Sequence, residues 1–330
     1  MKKPALAILS GLIFLGGMGA PVCAAIRLLA ITPNGEAFMQ ALEGLKSDLG
    51  DKYEVRRFDA ALPDAADSLR NVVRTFTPQG LILMDSKAIV LAKALEKDSA
   101  AFAHIPKFVT MTLKAEGAIQ GLENVAGIKF EVPAYTIFIN LRILSRRDFR
   151  KVGVFYRQSF SAFVEESRKF LAKENIDLAG ECMDCGGEGK LPPGAVSGKL
   201  RESMERLASQ RTDVIWMLAD NTLVNETTLK GFWLTHFKEY GLPVVVPLPN
   251  LASLELNLGM FGVWPDYRQL GMQAAQQIIQ VFESGETPGK LGLEPLVSVQ
   301  TVINLDMAQK VKWDLNKDKL YRVNSVLTRK

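Results

Sequence analysis

The chain has few of the residues that most often carry chemistry. Its 330 residues include two histidines and three cysteines. A zinc site on Cys182 and Cys185 would need two more ligands, which only His104, His236 or distant carboxylates supply. No G-x-G-x-x-G follows a strand-like run, so a dinucleotide site has no support. Gly194 to Lys199 imitates a phosphate loop, but three residues separate its glycines instead of four, and Leu200 stands where a magnesium-binding hydroxyl belongs. Neither H-E-x-x-H nor G-x-S-x-G occurs. No cofactor is expected, and an enzyme would have to assemble its groups from distant positions. Neither sign of charge dominates, with 40 basic residues against 36 acidic ones. That balance provides no field for nucleic acid or an anionic membrane.

Long apolar runs are also missing once the first 25 residues are passed, which leaves no later bilayer span in the sequence. The start is different. Lys2 and Lys3 precede an uncharged stretch over residues 4–20, followed by Pro21-Val22-Cys23-Ala24-Ala25. This layout predicts a secretory signal peptide over residues 1–25, cleaved after Ala24 or Ala25, and hence a periplasmic protein. Lipid attachment through Cys23 and an uncleaved anchor are the alternatives; Ala20-Pro21-Val22 fits a lipoprotein box poorly. In an oxidising compartment Cys182 and Cys185 can close a small disulfide loop, read here as a structural staple. The Gly/Pro-rich stretch that follows them lacks the helix start a thioredoxin-type pair requires.

The remainder alternates short β-rich runs with longer amphipathic ones. Strands are expected at 26–31, 53–58, 80–84 and 107–111, with helices at 35–49, 63–76 and 86–97. The rhythm restarts with a helix at 133–145. Strands follow at 151–156, 176–183, 213–218 and 243–247, and helices at 160–173, 199–209 and 222–240. A strand at 259–263, a helix at 266–284 and a strand at 296–303 close the pattern, leaving a basic tail, 310–330, read as solvated surface. This is the pattern of an α/β protein with two Rossmann-like lobes, parallel sheets and a hinge. The expected division is 26–129 plus about 259–286 for the first lobe, and 130–258 plus about 287–330 for the second. Open parallel sheets bind ligands beyond the carboxyl ends of their strands.

Several stretches resemble the substrate-binding family of ABC transporters related to tryptophan- and tyrosine-binding components. Asn124-Val125-Ala126-Gly127-Ile128 is similar to the family's Asn-Val-Thr-Gly-Val stretch, and Lys151 to Tyr156 to the strand that opens the second lobe. Ala219-Asp220-Asn221 resembles its Ser-Asp-Asn turn, the segment from Phe261 to Gly271 its Gly-Val-Asp-Tyr-x-x-Leu-Gly segment, and Val302 to Ala308 its closing signature. The resemblance implies a type I periplasmic-binding-protein fold and a small-molecule ligand, an amino acid or related molecule, held between two lobes. It also implies an ABC permease as partner and no catalysis; the chain is expected to be a monomer. A sensor module and an exported hydrolase are the alternatives. Two turns depart from the family. Met84-Asp85-Ser86-Lys87-Ala88 replaces Gly-Thr-Pro-Ala-Ala, and Met111-Thr112 replaces Thr-Asp.

An amino acid ligand needs hydroxyls and N–H groups for its carboxylate, a carboxylate for its ammonium and an apolar wall. Positions just after strands offer Asn34, Asp85, Ser86, Thr110, Thr112, Asp220 and Asn221 for the polar contacts, with Tyr156 and Trp264 for the wall. Each has a plain structural alternative as a cap, a turn or packing.

Overall fold

The computed structural model describes residues 24–185, 192–235 and 237–329. Apart from Ala24 and Ala25 the expected signal segment lies outside these, as do His236 and residues 186–191 of the Gly/Pro-rich stretch.

The first half runs β1 (Ile26–Thr32), α1 (Glu36–Leu49), β2 (Tyr53–Asp59), α2 (Ala65–Phe76) and β3 (Gly80–Met84). It continues with α3 (Ser86–Asp98), β4 (Lys107–Thr110), the short α4 (Ala115–Ala118) and β5 (Val125–Ile128). The chain then crosses into α5 (Ala134–Leu144), β6 (Lys151–Tyr156), α6 (Ser161–Lys173), β7 (Asp177–Cys182) and α7 (Val196–Ser209). Next come β8 (Val214–Trp216), α8 (Glu226–Thr228), β9 (Val244–Val246), α9 (Pro249–Ala252) and β10 (Phe261–Pro265). The last part is α10 (Tyr267–Ser284), α11 (Pro288–Leu291), β11 (Leu293–Glu294), β12 (Val299–Asn304), α12 (Leu305–Lys310) and β13 (Ser325–Leu327).

Two sheets result, ordered β11-β5-β4-β3-β1-β2 and β13-β12-β10-β9-β8-β6-β7. The apolar runs of the inner strands reflect burial on both faces. In β1, Leu28 and Ala30 face the core under α1 and α10, while Leu29 and Ile31 face the core under α2 and α3. Asp266 caps α10 by accepting from the Gln269 N–H at 3.1 Å.

Four sequence expectations are corrected. β10 was assigned to the first lobe with the helix after it, but it pairs with β9 and β12 in the second sheet. Only α10, α11 and β11 return to the first lobe, where β11 adds to the edge of β5. The lobe boundaries therefore shift, and the chain crosses between the lobes at 129–133, near 266 and at 295–298. β12 lies antiparallel to β10, so the second sheet is not wholly parallel. The continuous helix expected over 222–240 is broken into α8, a π-helical turn at Leu229–Trp233 and a 3-10 turn at Phe237–Tyr240. Phe232, Trp233 and Phe237 are all buried in one cluster, and the wider π turn carries the adjacent aromatic pair inward together. The tail is not merely solvated surface. Trp313 is 4% exposed and packs on Phe149, and β13 pairs with β12.

α10 reaches the first lobe by backbone contact with α1. A Cβ on Gly271 would sit 1.9 Å from the Ala41 carbonyl oxygen, and one on Gly44 would sit 2.0 Å from that of Arg268. Replacing Gly271 by Ala should therefore destabilise the protein by about 1–3 kcal/mol through overpacking, although helix propensity alone favours Ala. Urea unfolding measures the sign; a stabilised variant would mean that α10 docks less closely.

Candidate functional site

The carboxyl ends of both sheets face a cleft between the lobes. On the first lobe, Asn34 follows β1 and is exposed, bonded to Arg57 and Asp59 at the end of β2. Asp85 follows β3 with φ 110° and ψ 156°, a backbone region otherwise left to glycine, and its carboxylate caps α3 by accepting from the Lys87 N–H at 3.4 Å. Ser86 is exposed at the first position of that helix. Thr110 and Thr112 are each 1% exposed, so they lie under the loop rather than on it. The Thr112 hydroxyl donates to the Thr110 carbonyl at 3.3 Å. Between β4 and α4, Met111 and Lys114 both hold φ 54°, so this four-residue loop carries two strained positions.

On the second lobe the dominant feature is an ion pair. Arg157, just after β6, donates from Nε to one oxygen of Asp220 at 2.7 Å and from Nη2 to the other at 2.9 Å. The Asp220 side chain is fully buried, and its Oδ1 also accepts from the Thr222 N–H at 2.8 Å. Its carboxylate is therefore satisfied within the protein and is not presented to a ligand ammonium. Arg157 keeps 27% of its side chain exposed, and Nη1 has no protein partner among the described residues. A guanidinium fixed on one edge and open on the other is suited to an anionic group. Asn221 is exposed and accepts through its carbonyl from Asn225 Nδ2.

Neither aromatic expected in the wall lines the cavities. The Tyr156 ring covers Gly180 on the neighbouring strand, and Trp264 packs on the sheet face opposite Val263. The wall is formed by others. A recess of about 50 Å³ is lined by Leu113, Phe130, Glu131, Phe163, Trp216 and Tyr267. A groove of about 610 Å³ runs beside it between α4 and α6 and shares Glu131 and Phe163. Lys114 bridges the lobes here: Nζ donates to the Ser159 hydroxyl at 3.2 Å and stands 4.7 Å from the Phe160 ring centre. Glu131 Oε1 accepts from the Lys114 backbone N–H, and burial pushes its carboxyl pKa up.

Cys182 and Cys185 are joined in a disulfide, with Cα atoms 5.6 Å apart. Asp184 inside that loop accepts from the Gln158 N–H at 2.5 Å, tying the loop to the turn that carries Arg157 and Ser159.

Sequence reasoning points to the stretch after β6 that holds Arg157, but it names neither Arg157 nor Lys114 nor Glu131 as a candidate. Arg157 sits directly after a strand, and Glu131 is an acid in the apolar stretch before Pro133, so both carried a usable signal.

No protein-family model and no curated protein sequence matches the chain. Solved structures match it in shape. An ABC domain in complex with L-Trp from Streptococcus pneumoniae aligns over 92% of this chain and 100% of its own, with a TM-score of 0.59 and 14% identity. A conserved domain protein from Vibrio cholerae aligns over the same shares with a TM-score of 0.57 and 20% identity. A substrate-binding protein with adhesive properties from Clostridium difficile, in a ligand-free, open structure, gives 0.64 at 14% identity, again over 92% and 100%. At these identities the likeness shows the fold, that of type I periplasmic binding proteins.

Replacing Asp85 by Gly relieves the backbone at φ 110° and removes one cap. Release of strain should outweigh the weak cap, for a gain of about 1 kcal/mol in denaturant unfolding. A loss of stability would show that the cap, not the strain, governs this turn.

Proposed function

We propose that this chain is the exported solute-binding component of an ABC importer. It captures a small ligand, an amino acid or related molecule, between its lobes for delivery to a membrane permease. The observation that carries the reading is Arg157, held in place by a buried carboxylate and left open on one edge, three residues before Phe160 of the aromatic recess. An anionic group pairs with Arg157, and the apolar part of the ligand meets the recess wall. Asp85, Ser86 and Asn34 close from the facing lobe, and closure is driven by contacts that exist only in the closed state. The shared fold of the three solved structures is consistent with this role. In this reading the protein acts on the outer side of the inner membrane after cleavage near Ala24 or Ala25, and it performs no chemistry on the ligand.

The test is a thermal-shift screen of the chain from Ala25 onward against amino acids, nucleosides, sugars and small organic acids. A bound class should raise stability by about 2.7 kcal/mol at a hundredfold excess over its Kd. Arg157→Lys, which keeps the charge over Asp220 but loses the fork, should weaken that ligand by about tenfold or more. Folded, ligand-free protein that responds to no class would overturn the reading.

A further inference from the structure

Two of the carboxylates at the cleft are already committed. Asp220 is buried under both arms of Arg157, and Asp85 caps α3. Glu131 differs. Its Oε1 takes the backbone N–H of Lys114, and among the described residues no cation forms an ion pair with it. The two lysines of the adjoining groove are engaged elsewhere. Lys114 Nζ is held by Ser159 and the face of Phe160, and Lys129 Nζ pairs with Glu116 at 2.5 Å. Lys114 and Lys129 act on Glu131 only through space, and a half-buried carboxylate with no direct ion pair gains stability when a cation makes one.

The surroundings of Glu131 suit a particular cation. Phe130 stacks with Tyr267 at 6.4 Å between ring centres, and Phe163 lies 5.7 Å from Trp216. All four rings line the recess that Glu131 enters, and their faces attract an alkylated nitrogen. Glu131 and Phe163 also border the larger groove, so a charged head at their junction leaves its body there.

We infer that Glu131, with the aromatic pairs Phe130–Tyr267 and Phe163–Trp216, selects ligands bearing a protonated or quaternary amine on an apolar body. This rests on the cleft being a solute-binding site and narrows its ligand class.

The experiment titrates the protein with matched probes, following tryptophan fluorescence and thermal shift. Phenethylamine, tryptamine and choline are compared with 3-phenylpropionate, indole-3-propionate and 3,3-dimethylbutanol, and L-phenylalanine and L-tryptophan serve as zwitterions. Amine-bearing probes should bind at least about tenfold tighter than their counterparts, and Glu131→Gln should remove that preference while leaving the counterparts unchanged. Gln retains an acceptor for the Lys114 N–H, so the variant should fold. A folded pKa raised above the unfolded one means that wild-type stability falls as pH climbs through that window. Glu131→Gln should lack this fall and melt no lower than wild type at pH 7. The other charged or titratable groups facing Glu131 are Lys114, Glu116, Lys129, Glu166 and Tyr267; they are common to both proteins and drop out of the comparison. Equal binding of amines and counterparts, or amine affinities untouched in Glu131→Gln, overturns the inference and leaves the solute-binding reading standing. Failure of every probe overturns the inference, and the wider screen then shows whether the solute-binding reading falls with it.

Discussion

The contact of Gly271 with the Ala41 carbonyl determines how this chain is built. Backbone meets backbone there, so α10 lies closer to α1 than any side chain would allow. With α10 seated in the first lobe, the strand before it joins the second sheet and the strand after α11 joins the first. Three connections then pass between the lobes instead of one. Residues after β4, β5 and β8, strands of both sheets, line one recess.

Charge at that cleft is arranged asymmetrically. Asp220 is buried because Arg157 grips both of its oxygens, and Arg157 is oriented because Asp220 cannot move. The pair acts as a positioned cation at the surface and a satisfied anion beneath it. Across the floor of the cleft Glu131 has the reverse situation, an acid held by backbone N–H groups among aromatic rings. Lys114 joins the two regions, its backbone serving Glu131 and its side chain serving Ser159 on the other lobe.

Much of this architecture was legible in the sequence, for physical reasons. Strands buried on both faces read as short apolar runs, and β3 and β6 begin and end where those runs do. The π-helical turn at Leu229–Trp233 was not legible, because two adjacent aromatics facing one core contradict a 3.6-residue period. Nor could β10 be placed, since an apolar strand carries no mark of which sheet it will join. In the cleft, the pairing of Asp220 with Arg157 was not legible. The two are 63 residues apart, and no local pattern announces a contact at that distance. Glu131 carried a signal as an acid ahead of Pro133, but the rings that give it a role come together only in the fold.

The two-residue strand β11 carries a consequence for the order in which the molecule can form. The first sheet receives its last edge from residues 293–294, and its α1 face is covered only when residues 267–284 arrive. Residues 24–130 therefore lack a finished core of their own, and the second sheet up to β10 lies between them and their covering helix. Contacts of such long sequence separation slow folding. The first sheet can therefore be finished only by residues synthesised after β10 of the second.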